Sequence, residues 1–449
     1  AGPAMTIGFD SVSRRHRYVG LLLALVAVVG LAGCSDSAEP TPNEPVALSY
    51  QDWSTDWFPP MAREMLSRFY AFNPNIIVFY TPDPDDLAET MLEEMRAGTA
   101  PDVLQGCCTF FPIWAQQGHL LDLRPFIERD LEDEVMSDWD RAQYEALATP
   151  DGAQYGVPKY HGALALYYNK DLFDARGISY PDDSWTQDEY LDAMRQLTLD
   201  EDGDGATDVW GGMIDVSWDR VQVYVNAWGG NIVDPANPAS CALDEAPALA
   251  AVEWLRARMW DDKVMATLLD VQNLSTRDAF IEGKVATVED GSWALKDVLA
   301  NAPFRVGVAP LPAGPAGRVT LATTDGFGIY AGTLHPEESW QLLKFLISDE
   351  YALAMARANF LQPAKASLVD DWANVILREF PEAAAEVDIA AFADGHVNGY
   401  SVTAEVFPNM ADARPLAYAA WDSILTLGQG DVEQMADVCD QIEATQPAG

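Results

Sequence analysis

Between residues 46 and 118 the chain switches repeatedly between two hydrophobic periods. That alternation constrains its fold more than any other feature. Residues 46–53 alternate apolar and polar side chains, the period of a half-buried strand. Residues 59–73 then place Met61, Met65, Leu66, Phe69 and Phe72 at helical spacing and stop at Asn73-Pro74. Residues 76–80, β-branched and aromatic, predict a second strand. Residues 85–98 predict a helix with Gly98 as its stop, 102–105 a buried strand, and 109–118 the next helix. Strand, helix, strand, helix, strand predicts an α/β layer with a parallel sheet. Further on, residues 155–168 read as two linked strands, and 169–177 and 185–199 as helices. A long helix is predicted over 246–263 and another over 275–282, ending at Gly283. Strands follow at 285–289, 304–309 and 326–330, then helices at 336–348, 378–392 and 413–427. No internal repeat is visible.

Ahead of this pattern lies a segment of another kind. Arg14, Arg15, His16 and Arg17 precede an apolar run from Val19 to Gly33, which closes on Leu31-Ala32-Gly33-Cys34. A basic flank, a short apolar core, small residues and a Cys resemble a bacterial lipoprotein signal with its lipobox. The core is short for a span, which needs ~20 apolar residues. The resemblance implies cleavage before Cys34, lipid on its thiol, and a mature protein tethered to a membrane outside the cytoplasm. Residues 35–45 hold Ser, Asp, Glu and three prolines, and read as a flexible tether.

Composition narrows the function. The 449 residues are 49% hydrophobic, enough for two cores. Formal net charge is −43, a surface that repels nucleic acid and anionic lipid. Such acidity also fits a high-salt habitat. Of five Cys, lipid on Cys34 leaves Cys107, Cys108, Cys241 and Cys439. In an oxidising compartment four thiols allow three pairings. Neighbouring Cys107 and Cys108 do not both reach distant partners easily. This favours a vicinal bridge between them and a Cys241–Cys439 bridge, with free buried thiols as the alternative.

Asp200-Glu201-Asp202-Gly203-Asp204-Gly205-Ala206-Thr207-Asp208 carries oxygen ligands at loop positions one, three, five and nine, with Gly at six. The Ala206 carbonyl would supply position seven. This is the EF-hand-like calcium pattern, lacking the Glu at position twelve, where Gly211 stands. A structural Ca²⁺ is one reading and a solvated acidic turn the other. Gly-x-Ser-x-Gly, His-Glu-x-x-His and phosphate-cradling Lys loops do not occur. No catalytic residue, catalytic cofactor or enzyme activity is therefore assigned.

The order of several motifs resembles the maltose-binding-type (family 1) extracellular solute-binding proteins of ABC importers. They are Pro101-Asp102-Val103 with Gly118-His119-Leu120-Leu121-Asp122-Leu123, and Tyr155-Gly156-Val157-Pro158 leading to Leu166-Tyr167-Tyr168-Asn169-Lys170-Asp171-Leu172-Phe173. Ala227-Trp228-Gly229-Gly230, Gly291-Ser292-Trp293, His335-Pro336-Glu337-Glu338-Ser339-Trp340 and Leu361-Gln362-Pro363-Ala364 follow in order. The resemblance implies an α/β, two-lobed periplasmic-binding-protein fold of type II-like, hinged form, with a ligand cleft between the lobes. By analogy lobe 1 takes residues 46–158 plus 304–359, and lobe 2 takes 159–303 plus 360–449. It further implies a monomer, a sugar or oligosaccharide ligand, ABC permease subunits as partners, and no nucleic acid.

Sugars are gripped by flat aromatic faces and by paired hydrogen-bonding groups. On that basis the candidate ligand-binding residues are Asp52, Trp53 and Trp57 after the first strand, and Cys107, Cys108 and Phe110 after the third. Tyr160 and His161 lie on a lobe crossing. Trp218, Trp228, Gly230 and Trp293 come from the second lobe, and Asp325, Phe327, Gln362 and Arg414 from later segments. Any one of the Trp residues alone reads equally well as core. The rival readings are a secreted glycosidase, which needs two carboxylates flanking a cleft, and a binder of a non-sugar solute such as a polyamine.

Overall fold

A computed structural model describes residues 45–131 and 136–447. Cys34 and its lipid, with most of the tether, lie outside the described residues. Among the described residues no helix is long and apolar enough to cross a membrane.

Two five-stranded sheets organise the chain. The first contains β1 (Val46–Asp52), β2 (Ile76–Pro82), β3 (Val103–Gly106), β4 (Val157–Pro158) and β11 (Gly326–Ile329), in the order β2-β1-β3-β11-β4. β1 runs parallel to β2 and β3, as the alternating pattern predicts. The sheet is nonetheless mixed, because β11 returns from far along the chain and inserts antiparallel between β3 and β4. Periodicity reports a strand's burial, not the direction from which it arrives. Leu48, Tyr50, Val103, Phe327 and Ile329 pack on one face with helices Phe58–Phe72, Pro336–Leu346 and Asp349–Asn359. Leu104 meets Met91, Phe111 and Trp114 on the other.

The second sheet contains β5 (Leu164–Asn169), β6 (Gly212–Met213), β7 (Met265–Ala266), β8 (Thr287–Gly291) and β9 (Val306–Ala309), in the order β7-β6-β8-β5-β9. β5 is buried along its whole length because both faces are covered. Leu164, Leu166 and Tyr168 point into one core, Ala165 and Tyr167 into the other. The helices after residue 360 complete both cores: Val369–Glu379 and Ala391–Asn398 on one face, Met410–Trp421 and Met435–Thr445 on the other.

Two expectations change. Residues 306–309, assigned to the first lobe, pair with β5 in the second sheet, so the return to the first sheet falls between residues 310 and 325. The helix expected over 378–392 is broken into Val369–Glu379, Pro381–Ala384 and Ala391–Asn398. Pro381 has no N–H to continue a helix and starts a new one instead.

Three crossings between the sheets lie side by side. The first is residues 159–163, the second 310–325, and the third follows helix Asp349–Asn359. They are laced together by backbone bonds: Thr323 N to Gly162 O at 2.8 Å, Lys159 N to Asp325 O at 3.0 Å, and His161 N to Gln362 O at 2.9 Å. Gln143 Nε2 adds bonds to the carbonyls of Tyr160 (2.8 Å) and Thr323 (2.6 Å). A short parallel pair, β10 (Thr320–Leu321) with β12 (Ser401–Val402), anchors the second crossing to the C-terminal segment.

Cys107 bonds to Cys108, and Cys241 to Cys439 across 198 residues. The second bridge ties the segment after β6 to helix Met435–Thr445. Replacing both Cys241 and Cys439 by Ser should cost about 2–5 kcal/mol, because the closed loop is long. Chemical denaturation would measure it, and an unchanged midpoint would count against a stabilising bridge.

Candidate functional site

The carboxyl ends of the parallel strands in the two sheets meet at the crossings. That edge is where open α/β sheets hold ligands. In the first sheet β1 ends at Asp52 and Trp53, β2 is followed by Asp83, β3 by Cys107, and β4 by Lys159. In the second, β6 is followed by Asp215, β7 by Thr267, and β8 by Trp293 one turn on.

Tyr160, on the first crossing, joins the two sides. Trp53 lies edge-on to its ring at 5.6 Å and Trp293 edge-on at 6.4 Å. Trp57 packs on Trp53 at 5.9 Å. Trp293 touches the cores of both sheets. Its ring lies so close to Gly291 that a Cβ there would stand 2.2 Å from it, and one on Gly162 2.8 Å away. Glycine at both positions is therefore a condition of where that indole sits.

Beneath Trp53 is Lys159, fully buried. It pairs with the equally buried Asp52, and its Nζ lies 3.2 Å from the Trp53 ring centroid and 4.6 Å from that of Phe58. Tyr50 hydrogen-bonds the other oxygen of Asp52. Burial pushes the Asp52 carboxyl up and the Lys159 amine down, each opposed by the other's charge. Asp83, raised to about 7 by burial and then by the charge of Asp52, accepts from Gln105 Nε2 at 2.7 Å. Burial also lifts Asp325 to about 7, against the pull of Lys159. One ammonium thus faces two buried carboxyl groups, Asp52 and Asp325, and the half-buried Asp83.

On the second side a cavity of about 550 Å³ opens at the ends of β6, β7 and β8. Asp215, Arg220, Thr267, Arg277, Asp290 and Trp293 line it. Arg220 lies over the Trp293 ring at 5.6 Å and 3.8 Å from Asp290, with its buried Nε lacking an acceptor among the described residues. Arg277 Nε donates to Asp290 at 3.0 Å. Asp219 is raised by burial against the pull of Arg220 and Arg414, and the Arg414 guanidinium covers Tyr418 at 5.1 Å.

The structure therefore gathers Asp52, Trp53, Trp57, Tyr160, Trp293 and Asp325 at one place, and sets Arg414 over Tyr418. Phe327 is fully buried in the first core, 5.4 Å from Lys159, and supports the site from behind. Cys107 and Cys108 sit on the same sheet edge, Cys108 exposed in a left-handed conformation at φ +57°. Phe110 turns to Trp114 at 5.0 Å.

Other expected residues serve the framework. Trp218 is buried against Phe407 and Trp421, with its indole N–H on Glu405 O at 2.9 Å. Trp228 donates to Gln187 at 2.8 Å and packs on the second core. A Cβ on Gly230 would meet Ala248 N at 2.8 Å, so that glycine allows a helix to pack close. Gln362 holds the crossing through its backbone. His161 contacts Asp140 and His396. Lys159, Asp83, Asp215, Arg220, Arg277 and Asp290 were not anticipated. Asp83, Asp215 and Asp290 stand at strand ends, the signal that found Trp53.

Asp200, Asp202 and Asp208 bring carboxylate oxygens within 4.8 Å of one another on the surface. Asp204 lies outside that group and caps Ala206 N at 2.7 Å. Asp200 accepts from Gly203 N at 2.7 Å and Gly205 N at 2.9 Å. Hard oxygen donors on a loop already folded around them fit Ca²⁺.

The comparisons agree on one family. A profile described as bacterial extracellular solute-binding protein matches residues 52–353. The maltodextrin-binding protein of Bacillus subtilis is 25% identical over 349 residues, covering 74% of this chain and 77% of its own. Among solved structures, an ABC substrate-binding protein of Listeria monocytogenes in complex with cycloalternan superposes with a TM-score of 0.78 at 23% identity. The match covers 90% of this chain and 99% of that one. A Mycobacterium tuberculosis protein in complex with glycerophosphocholine gives 0.73 at 19% identity, over 89% and 98%. These likenesses give the fold as two-lobed.

A carboxyl group raised by burial opposes folding once ionised. Its protonated form carries no such cost, so stability is full below the unfolded pKa near 3.8 and falls as pH rises through about 7. Asp325→Asn should therefore stabilise the ligand-free protein at pH 8 by on the order of 2 kcal/mol, and not at pH 4. Melting curves at the two pH values test this; an equal effect at both would exclude it.

Proposed function

The chain belongs to the bacterial extracellular solute-binding protein family, and from that premise we propose that it captures a sugar or oligosaccharide between its lobes and delivers it to the permease of an ABC importer. The observation that carries this reading is the Trp53–Tyr160–Trp293 array, set at the meeting of both sheet edges and flanked by carboxyl groups and Arg220. Indole faces suit the C–H faces of a sugar ring. Carboxylates and guanidinium suit its hydroxyls. The relatives named for maltodextrin and cycloalternan support the same ligand class.

In this mechanism the lobes open about the three crossings. Ligand touches groups of both lobes only when they close, so its binding energy shifts the population to the closed form. The closed form, a monomer, docks on the permease. No bond of the ligand is broken. The protein works outside the cytoplasm, held to a membrane by lipid on Cys34. The vicinal Cys107–Cys108 plate adds a rigid apolar surface for a sugar face.

A thermal-shift and calorimetric screen of mono- and oligosaccharides should find a ligand that raises the melting temperature without being consumed. Trp53→Ala and Trp293→Ala should each weaken it by ~10-fold or more, the scale of a lost aromatic anchor. Cys107→Ser with Cys108→Ser should weaken it less. Release of product sugars would instead indicate a glycosidase. Unchanged affinity in both Trp variants would reject the array as the binding surface.

One observation favours a second reading. Asp52, Asp83 and Asp325 exceed the single buried Lys159. A polyamine would complement that excess, and a thermal shift with spermidine but no sugar would select it.

The Asp200–Asp208 loop takes a structural Ca²⁺ in this reading. Saturating Ca²⁺ should raise stability by about 2–3 kcal/mol at a hundredfold excess over Kd. The gain should vanish in Asp200→Asn. A gain that persists there places the ion elsewhere.

A further inference from the structure

Away from the ligand cleft, three residues distant in sequence converge behind the first crossing. Asp140 precedes the short helix Arg141–Ala146, His161 lies three residues past β4, and His396 is on helix Ala391–Asn398 of the second lobe. Asp140 and His161 are 4% and 2% exposed, and the His396 side chain 23%. Asp140 Oδ2 stands 2.7 Å from His396 Nδ1 and 3.4 Å from His161 Nε2. The imidazole centroids are 5.3 Å apart. All three residues offer ligand atoms within 4.8 Å of one another.

Hydrogen bonding alone leaves this group poorly satisfied. Two imidazoles share Asp140 Oδ2, while Asp140 Oδ1 accepts from Gln143 N at 3.0 Å. The His161 bond is longer than the ~2.7–2.9 Å of a charge-assisted N–H···O contact. His161 Nδ1 is buried with no partner among the described residues. So are Gln143 Oε1 and Gln362 Oε1, on two residues bonded to Asp140 and to the His161 backbone. A buried polar atom left unpaired costs roughly 1–3 kcal/mol.

The 3.4 Å His161 separation matches another geometry, whereas the 2.7 Å His396 contact is a hydrogen bond that a bound ion would replace and open. Two ligands each ~2.0–2.1 Å from a tetrahedral Zn²⁺ stand ~3.3 Å apart. Two neutral imidazoles and one carboxylate are a donor set for a borderline divalent ion, with water in the fourth position. The bond from Gln143 N to Oδ1 would orient the carboxylate from outside the shell.

We propose that Asp140, His161 and His396 form a binding site for a borderline divalent cation of the Zn²⁺ class, with Asp140 Oδ2 and one nitrogen of each imidazole as ligands. The ion fastens the first-sheet side of the crossings to helix Ala391–Asn398. It is separate from the oxygen-only loop at Asp200–Asp208, which suits a harder ion, and it requires no sugar.

The test uses the full chain, stripped by chelator and kept in excess Ca²⁺ so that the acidic surface and the Asp200 loop are occupied. Co²⁺ should give the intense visible absorption of a tetrahedral site with one equivalent bound, and Zn²⁺ should displace it and raise the melting temperature. His396→Ala or Asp140→Asn should weaken Zn²⁺ by ~100-fold or more, since outer-shell partners alone are worth about 10–100-fold. His396→Cys, which keeps a ligand atom, should restore much of the binding. His335→Ala, outside the cluster, should leave it unchanged. Absence of the Co²⁺ spectrum in the unaltered protein overturns the proposal whether or not the variants fold. So does Zn²⁺ binding that survives His396→Ala and Asp140→Asn intact.

Discussion

A fully buried ammonium governs the geometry of the cleft. Lys159 opens the first crossing, and its charge is enclosed by Asp52 and by the rings of Trp53, Phe58 and Phe327. Taking such a charge out of water costs several kcal/mol. Only a close carboxylate and π faces offset that, and a desolvated cation–π contact contributes about 2 kcal/mol or more. The offset requires both partners, and removing one typically costs about 3–5 kcal/mol. β1, which ends at Asp52, is therefore fixed relative to β4, which ends at Pro158. Tyr160 follows one residue later, so the same constraint sets it between the two indoles.

The crossings combine stiffness with a capacity to swing. The first crossing shares two backbone hydrogen bonds with the second and one with the third, and Gln143 spans the first two with a single amide. Bonds directed between the crossing strands hold their spacing while leaving rotation along their length. Beyond the crossings the lobes also touch where Gln116 Nε2 donates to Phe407 O at 3.2 Å, where Lys296 Nζ donates to Ala358 O at 3.1 Å, and where His396 meets Asp140 at 2.7 Å. A few interactions of about 1 kcal/mol each are within reach of a ligand's differential binding energy.

The division between legible and illegible features follows from range. Local period exposed β1, β2, β3 and the helices between them, because each signal lies within a dozen residues. Helix Trp218–Ala227 escaped, since Val221, Val223 and Val225 alternate as a strand would. Burial on nearly every side lets β-branched residues sit in that helix. Missing it hid Arg220 as well and left Trp218 among the ligand-binding candidates. Trp53 directly follows the end of β1, whereas Trp293, two residues past β8, was singled out through the resemblance carried by Gly291-Ser292-Trp293. Trp228 carries the same kind of residue, but it caps a helix, and nothing local separates the two cases. Lys159 was invisible for another reason. A lone Lys is almost always solvated, and its partners lie more than a hundred residues before and after it.

The excess of buried carboxyl groups connects the apo structure to its proposed ligand. Burial raises Asp83 and Asp325 to about 7, and the charge of Lys159 only partly offsets it. Hydroxyl donors would favour the ionised forms and pull those values down. Binding a polyol should then release protons near neutral pH, and the affinity should strengthen as pH rises toward 7. A polyamine would act in the same direction but more strongly, since it brings full charges. An apolar or anionic solute would act in the opposite direction and raise the carboxyl pKa values further. The sign of proton exchange on binding is thus set by ligand chemistry, through Asp83 and Asp325.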